Sequence, residues 1–291
     1  MPAHLYSYAI PTTLPDLSVR RGLILEWDDG WGEIAPLPGF SCETLAEAQN
    51  EILSLLPSLG KKKATLPSVR FAIQSASLPF SPLPFSHPIA RFHPSTPPCP
   101  VQKLKIGHLS VSDAIALVQT IPQTTRLRLD CNRKWTLSQA LDFARFFPDS
   151  SKERFEFLEE PVFSLSDLML FSKKTDFPIA IDESYRLDPH TSLQIPSLRA
   201  LVIKPSLSDL PSSLPSHISL VLSSAYETSL GLLQIARLPS ASPLGLDTFR
   251  FLREDLLIPS LKVIDGHLSW EGGRHPVDRT KLCWIASSPL H

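Results

Sequence analysis

The stretch Val101–Gly107, VQKLKIG, has the composition of a short buried strand but carries two lysines two positions apart. Successive side chains of a strand point to opposite faces, so Lys103 and Lys105 share one face of this predicted strand. Eight prolines lie between Pro79 and Pro100, just before it. We interpret that proline-rich run as an extended linker or domain boundary.

After this stretch, strand-like and helix-like segments alternate. The further predicted strands are Arg126–Asp130, Phe155–Glu159, Ile179–Asp182, Ala200–Lys204 and Ile218–Leu222. The predicted helices are Ser112–Thr120, Leu137–Phe147, Ser166–Lys174 and Thr228–Leu238. Thr136 and Gln139 have the spacing of a capping box at a helix start, whereas the two prolines of Ser208–His217 predict an irregular loop. The alternation predicts an α/β fold with a parallel sheet, either an open doubly wound sheet or a closed barrel.

A polar residue or a glycine stands at or just past the carboxyl end of each predicted strand. In chain order these residues are Lys105, Asp130, Glu159, Asp182, Lys204, Ser223 and Gly245, and they are between 19 and 29 residues apart. That spacing corresponds to one strand with its crossover each time. The carboxyl ends of parallel strands form the rim on which barrel enzymes build their sites, so we expect these residues to converge there.

The chemistry of this set points to metal-assisted proton transfer. Asp130, Glu159 and Asp182 offer three carboxylates, and hard oxygen ligands suit Mg²⁺. Lys105 and Lys204 would flank the ion, and a nearby cation should lower the pKa of a lysine. Such a lysine can remove a proton from a carbon beside a carboxylate while the metal stabilises the resulting charge.

Composition narrows the functional class. The chain has 291 residues, of which 43% are hydrophobic and 20% charged, and its net charge is −1. These values are ordinary for a globular protein and give no reason to expect a nucleic-acid or membrane partner. The four cysteines have no paired spacing, there is no signal-like amino-terminal pattern, and no histidines have metal-site spacing. We therefore expect a cytoplasmic protein that acts on a small-molecule substrate.

Several ordered motifs resemble the enolase superfamily, in its muconate-lactonizing subgroup. They are the K-x-K at Lys103 and Lys105, LRLDCNRKWT at Leu127–Thr136, FLEEP at Phe157–Pro161, IDES at Ile181–Ser184 and VIKPSL at Val202–Leu207. GWGEIAPLPGFS at Gly30–Ser41, LSSAYETSLG at Leu222–Gly231 and GLDT at Gly245–Thr248 resemble, more narrowly, the o-succinylbenzoate synthase family. The resemblance implies a (β/α)7β TIM-like barrel with an α+β enolase-type capping domain. We expect residues 1–98, with part of 259–291, to form the cap and residues 99–258 the barrel.

The resemblance also implies roles for individual residues. Asp130, Glu159 and Asp182 match ligands of Mg²⁺, for which Mn²⁺ is an alternative. Lys105 matches the general base that later protonates the leaving hydroxide, and Lys204 matches the lysine opposite it. The residues that match substrate-binding positions are Lys103, Arg128, Asn132, Ser223 and Gly245. The implied reaction is the syn dehydration of 2-succinyl-6-hydroxy-2,4-cyclohexadiene-1-carboxylate to 2-succinylbenzoate in menaquinone or phylloquinone biosynthesis.

Three other functions stay open on the sequence. An N-acylamino acid racemase, a dipeptide epimerase or a lactone cycloisomerase of the same superfamily would use the same metal ligands and lysines. A catalytically inactive barrel is a further alternative, against which the intact lysines and carboxylates argue. The loop Gly30–Ser41 and the stretch at Leu222–Gly231 favour dehydration. Oligomeric state has no signature in the sequence.

Overall fold

The computed structural model describes residues 2–81, 83–95, 99–147, 152–273 and 276–289. Its strands are β1 His4–Leu14, β2 Leu17–Trp27, β3 Gly30–Ile34, β4 Phe85–Pro88, β5 Arg91–Phe92, β6 Val101–Lys105, β7 Arg126–Asp130, β8 Phe155–Glu159, β9 Ile179–Ile181, β10 Leu198–Ile203, β11 Ser219–Leu222, β12 Lys262–Ile264, β13 His267–Trp270 and β14 Cys283–Ser287. Its helices include α1 Leu45–Leu55, α2 Pro67–Ala76, α3 Val111–Thr120, α4 Leu137–Phe146, α5 Leu165–Lys174, α6 Glu183–Leu187, α7 Pro189–Ser192 and α8 Ser229–Ala236.

The central sheet is parallel and closes into a barrel. Its hydrogen-bonded order is β11-β10-β9-β8-β7-β6-β5. Leu244 and Gly245 bridge its two ends, because Gly245 pairs with Ser223 after β11 and Leu244 pairs with Ile89 before β5. Gly245 N donates to Leu222 O at 2.8 Å, and Ala90 N donates to Leu244 O at 2.9 Å. The closure confirms the TIM-like barrel and excludes the open sheet.

The barrel strands are buried on both faces, which explains their apolar sequences. Side chains such as Leu129, Leu158 and Ile203 belong to the large core between the sheet and the outer helices. A smaller cluster comes from alternate strand positions, and its members are Phe157, Ala180, Ala200, Val202 and Val221. Because strand side chains alternate, these residues point to the opposite face, which is the barrel interior. The polar residues at the strand ends lie above this apolar floor.

Local capping chemistry fixes where the helices begin. Thr136 Oγ1 accepts from Gln139 N at 3.3 Å, and Thr136 N donates to the Gln139 side chain at 2.9 Å, so the predicted capping box starts α4. Thr44 and Glu47 form the same arrangement at α1. Between β10 and β11 the chain has no helix, as the prolines of Ser208–His217 predict.

The proline-rich run is more ordered than the sequence predicts. β4 pairs with β13 in an antiparallel sheet that also contains β12, and β5 pairs with β6 in the barrel. The interpretation of the run as a linker is therefore wrong for residues 85–92. β4 is an edge strand that ends at Pro88, a position where the missing N–H of proline costs no ladder hydrogen bond. Residues 82 and 96–98 lie outside the described residues.

A second unit carries the amino-terminal third of the chain. Its sheet has the antiparallel order β14-β1-β2-β3, in which His4 of β1 stands opposite Ser287 of β14. Helices α1 and α2 cover this sheet through Ile52, Val69 and Ala72. The domain boundaries, residues 1–98 with part of 259–291 and residues 99–258, stay a prediction. In the part of the chain that the structure describes, no helix has the length and apolarity required to cross a bilayer.

Candidate active site

A cavity of about 900 Å³ opens where the barrel strands end. The predicted site residues that line it are Lys103, Lys105, Asp130, Asn132, Lys204, Ser223 and Gly245. Strand register explains the convergence, because Lys105 stands opposite Asp130 and Asp130 opposite Glu159 on three neighbouring parallel strands. Glu159 and Asp182 do not line the cavity themselves, but each contacts a lysine of its wall.

Lys103 is held between two buried carboxylates. Its Nζ lies 2.9 Å from Asp130 Oδ2 and 2.7 Å from Glu159 Oε2. Burial alone would lower the pKa of Lys103, but the attraction of Asp130 and Glu159 outweighs it and raises that pKa. Burial would likewise raise the pKa of Asp130, yet the neighbouring Lys103 lowers it. Lys103 is therefore a fixed cation that neutralises the acidic pair.

Glu159 is the acid of the site that most resists ionisation. Burial, followed by repulsion from Asp130, raises its pKa to about 7, against the attraction of Lys103. Three carboxylates gathered at one rim repel each other, and charge neutralisation is what makes their assembly stable. The site therefore favours a positively charged partner for these oxygens.

Lys204 makes the equivalent contact on the opposite side of the mouth. Its ammonium group binds Asp182 Oδ2 directly. Burial opposes the charged form of Lys204, but Asp182, Glu183 and Glu159 outweigh burial and raise its pKa. The prediction of a lowered pKa concerns a lysine beside a bound metal ion, so for Lys204 it stays a prediction. A lowering needs a competing cation on the same carboxylate oxygens, whereas carboxylates alone have the reverse effect.

Lys105 differs from both of these lysines. Its side chain is exposed to the cavity, and its Nζ stands 5.7 Å from the centroid of the Phe92 ring. Within the described chain, it forms no ion pair with a carboxylate. A lysine side chain that no carboxylate engages is free to contact a ligand in the cavity. The two lysines of K-x-K thus have different surroundings although they share a face.

The three carboxylates fit a hard divalent cation in donor chemistry. Asp130, Glu159 and Asp182 are buried, supply only oxygen, and end neighbouring strands around one mouth. Across the described residues, however, no three acidic, histidine or cysteine side chains stand in positions that hold one ion together. Lys103 and Lys204 engage these carboxylates in the structure. A bound cation would compete with the two ammonium groups for the same oxygens.

Glu160 has a larger part in the site than its sequence position indicates. Its side chain is fully buried and accepts hydrogen bonds from Asp182 N at 2.9 Å, Ser184 N at 2.7 Å and Ser184 Oγ at 2.7 Å. Its φ of 43° turns the backbone sharply just after Glu159. Burial raises the pKa of Glu160 in spite of these donors. The residue therefore fixes the backbone at Asp182 rather than serving as a surface acid.

Arg128 lies below the cavity and does not line it. Its guanidinium bonds to Glu156 Oε2 at 2.5 Å and to the carbonyl of Pro243 at 2.8 Å, and it stacks on Phe157. These contacts give no support to a direct substrate contact. Asn132, by contrast, lines the cavity with a φ of 46°, and its N–H donates to Asp130 Oδ1 at 2.9 Å. That bond orients the carboxylate.

Ser223 and Gly245 form one continuous piece of the wall. Ser223 Oγ donates to Gly245 O at 3.2 Å, across the bridge that closes the barrel. A side chain at position 245 would bring its Cβ to 2.8 Å from Ser223 Oγ, so only glycine fits without displacing the serine. The pair presents polar backbone and hydroxyl groups on the side of the cavity opposite β7.

Residues of the amino-terminal unit complete the cavity. The β1–β2 turn, Leu14–Leu17, and the segment with Leu37, Pro38 and Phe40 line its outer wall. The motif Gly30–Ser41 predicted the segment with Leu37, Pro38 and Phe40, but no motif predicted the β1–β2 turn. The only local signal there was the turn-forming pair Pro15-Asp16 between two apolar residues. A turn signal does not reveal what lies opposite the turn.

A buried polar joint holds the two units together. Arg20 is fully buried and donates to Pro36 O at 2.7 Å on one side and to Tyr226 O at 3.0 Å on the other. Glu33 accepts from Tyr8 Oη at 2.5 Å and, across the joint, from Thr228 N at 3.0 Å at the start of α8. The segment from Ser223 to Tyr226, which lines the cavity, is thereby fixed to the cap.

Glu33 makes the free energy of unfolding depend on pH. Burial raises its pKa to about 7 although Tyr8 and Thr228 donate to it. Between about pH 4.5 and 7 the folded chain then binds a proton that the unfolded chain has released, so stability falls as pH rises through this range. We expect wild type to lose up to about 3 kcal/mol relative to Glu33→Gln between pH 5 and pH 8.

Urea denaturation at both pH values measures this difference. Glu271→Gln, which changes an exposed carboxylate paired with Lys262, serves as the control and should leave the pH dependence as in wild type. A difference between wild type and Glu33→Gln that does not vary with pH would show that Glu33 is ionised at low pH in the folded protein.

Two protein families and a curated relative match this chain. Residues 2–79 match the model of the MenC N-terminal domain, and residues 99–192 match the enolase C-terminal domain-like family. The o-succinylbenzoate synthase of Klebsiella pneumoniae (strain 342) is 36% identical over 282 residues, covering 84% of this chain and 87% of that protein. This relative is similar over most of both lengths.

Solved structures share the fold. The o-succinylbenzoate synthase of Thermosynechococcus elongatus BP-1, complexed with Mg in its active site, superimposes with a TM-score of 0.68 at 22% identity, covering 89% of this chain and 97% of that one. The L-Ala-D/L-Glu epimerase of Bacillus subtilis has a TM-score of 0.71 at 20% identity and covers 99% of each chain. At these identities the structures establish the fold alone.

Proposed function

The chain belongs to the o-succinylbenzoate synthase family, and from that premise we propose that it dehydrates 2-succinyl-6-hydroxy-2,4-cyclohexadiene-1-carboxylate to 2-succinylbenzoate. The reaction breaks one C–H and one C–O bond on the same face of the ring and releases water. It is a carbon–oxygen lyase reaction and belongs to menaquinone or phylloquinone biosynthesis. One group that alternately accepts and returns a proton suffices for such a syn elimination.

The unequal surroundings of the lysines carry this proposal. Lys105 faces the cavity without an ion pair to any described carboxylate, which suits a base that takes the proton beside the substrate carboxylate and gives it to the departing hydroxide. Lys204 is held as a cation by Asp182, which suits electrostatic stabilisation of developing negative charge. A racemase needs proton exchange from both sides of the carbon, so this asymmetry favours dehydration.

Asp130, Glu159 and Asp182 would hold Mg²⁺, which the donor set fits, with Mn²⁺ as a substitute. When bound, the ion supplies positive charge beside the substrate carboxylate and so makes the adjacent proton more acidic. The chain's own groups prepare this arrangement. Asn132 N orients Asp130, and Glu160 fixes the backbone of Asp182.

The remaining substrate contacts follow from the cavity wall. Ser223 and Gly245 present hydroxyl and backbone groups that suit the succinyl carboxylate, at the end of the cavity away from β7. Lys103 faces the substrate only as a fixed positive charge behind the carboxylates. Leu37 and Phe40 would exclude water from above the ring, which prevents loss of the intermediate to solvent.

The decisive experiment is an absorbance assay with the cyclohexadiene substrate. We expect loss of the diene absorbance in the presence of Mg²⁺ and no loss after chelation with EDTA. Solvent-deuterium exchange into both enantiomers of N-succinylamino acids is measured in parallel. Exchange without dehydration would identify a racemase, and neither reaction together with absent Mg²⁺ binding would identify an inactive barrel.

A further inference from the structure

We propose that Arg186 is a positioning residue that holds the turn Leu37–Ser41 over the cavity and ties it to Asp182. The proposal deepens the function above and rests on it for its kinetic part. Arg186 lies on α6, one helical turn after Asp182, and no motif of the sequence singles it out. Three contacts of its guanidinium carry the inference.

The guanidinium reaches the barrel and the cap at once. Its Nη1 donates to the carbonyl of Phe40 at 2.9 Å, across 146 positions of sequence. Its Nε stands 3.7 Å from Asp182 Oδ1, and its Nη2 stands 4.0 Å from Glu183 Oε1. Lys204 engages the other oxygen of Asp182. Arg186 and Lys204 therefore lie near different oxygens of one carboxylate, Lys204 in direct contact and Arg186 at ion-pair distance.

The turn that Arg186 holds behaves as one unit. Phe40 N and Ser41 N both donate to Leu37 O, at 3.1 and 2.9 Å, and Leu37 N donates to Ser41 Oγ at 2.7 Å. Gly39 supplies the positive φ of 79° that the turn requires. Leu37 at the base of the turn is already buried against Leu207 and Ala225, so the bond to the carbonyl of Phe40 acts on the exposed tip.

The tip of this turn, residues 38–40, is exposed in the described structure. The Phe40 side chain is 49% exposed although it lines the cavity. An exposed aromatic ring contributes little burial to keep its backbone closed, so a hydrogen bond from a charged donor has a large relative effect. Arg186 is itself only 21% exposed in its side chain, and the attraction of Asp182 and Glu183 keeps its guanidinium in place.

Arg186 thus links the outer wall of the cavity to the carboxylate rim. A cap turn that moves away would open the cavity to water and remove the apolar cover from the substrate. Contacts that the closed turn makes with substrate persist through the reaction, so their loss should act mainly on KM.

The test compares Arg186→Met and Arg186→Lys with the control Arg145→Met. Arg145 lies on α4, is exposed and pairs only with Asp142 of its own helix among the residues described. Hydrogen–deuterium exchange of the peptide containing residues 37–42 is measured without substrate, followed by kcat and KM. We expect Arg186→Met to raise exchange in this peptide and to raise KM about tenfold, with kcat lowered less than about threefold.

Arg186→Lys keeps a charged donor and should recover part of both effects, whereas Arg145→Met should match wild type. Higher KM without faster exchange at residues 37–42 would overturn the proposal, because Arg186 would then act through Asp182 alone. Faster exchange with unchanged kinetics would also overturn it. Exchange is independent of catalysis, so a failure of the proposed dehydration is distinguishable from a failure of the Arg186 contact.

Discussion

Replacing Lys105 by alanine should abolish measurable turnover, with kcat reduced about 10⁴-fold. In the proposed reaction this amine both removes the ring proton and returns it to the departing hydroxide, and no second group shares either step. Lys103 is no substitute, because its ammonium is held by Asp130 and Glu159 and the pKa of that ammonium is raised. Single-turnover measurement of diene loss with each purified variant tests this expectation.

Charge-preserving variants separate the roles of the two lysines. Lys105→Arg should be as inactive as Lys105→Ala, because a guanidinium does not release a proton near neutral pH. Lys204→Arg should retain more activity than Lys204→Ala, since it keeps positive charge near Asp182 with a different shape. If Lys204→Arg is as inactive as Lys105→Arg and wild type exchanges both enantiomers of an N-succinylamino acid, the single-base mechanism is wrong.

Asp182→Asn should weaken Mg²⁺ binding at least about tenfold while the barrel stays folded. The amide keeps one oxygen donor but removes the charge, and its NH₂ group repels a cation. The same change removes the partner of Lys204, which leaves an ammonium group with fewer carboxylates to hold it. Titration calorimetry with MgCl₂ gives the affinity without any need for turnover.

Asp142→Asn is the matched control, because Asp142 is exposed on α4 and pairs with Arg145. This control should bind Mg²⁺ as wild type does. The comparison distinguishes the loss of a metal ligand from the loss of one negative charge anywhere on the protein. A near-ultraviolet circular dichroism spectrum of each variant verifies the fold. Unchanged affinity in Asp182→Asn would mean that this carboxylate is not a metal ligand.

The sequence was most informative where short-range chemistry decides the structure. β7 and β8 have the predicted limits, because apolar alternation ends in a polar residue at Asp130 and at Glu159. Thr136 and Gln139 start α4 as predicted, since a capping box needs only residues three apart. Repetition of the strand–helix unit then determined the parallel fold.

The sequence was least informative where contacts are distant. β4 and β5 lie within a proline-rich run that local propensity assigns to a linker, and pairing with β13 and β6 makes them strands. Leu244 and Gly245 close the barrel with only two residues, which is too few for a strand pattern. Arg20 likewise bonds to Pro36 in the cap and to Tyr226 in a barrel loop, and neither partner is close to it in sequence.

The sequence by itself determined that strand-end residues such as Lys105, Asp130 and Lys204 lie at the mouth of the barrel. The alternation of side chains along a strand decides which face of the sheet each residue occupies. The spacing of about one strand–helix unit places each of these residues at the carboxyl end of its strand. Both patterns can be read from short segments of sequence. Only the tertiary structure decided what each residue does there. Lys103 and Lys105 have the same residue type and the same face, but Asp130 and Glu159 hold one of them while the other stands exposed in the cavity beside Phe92. The role of a lysine side chain depends on the charged groups within a few ångströms of it, and packing brings those groups from distant parts of the chain.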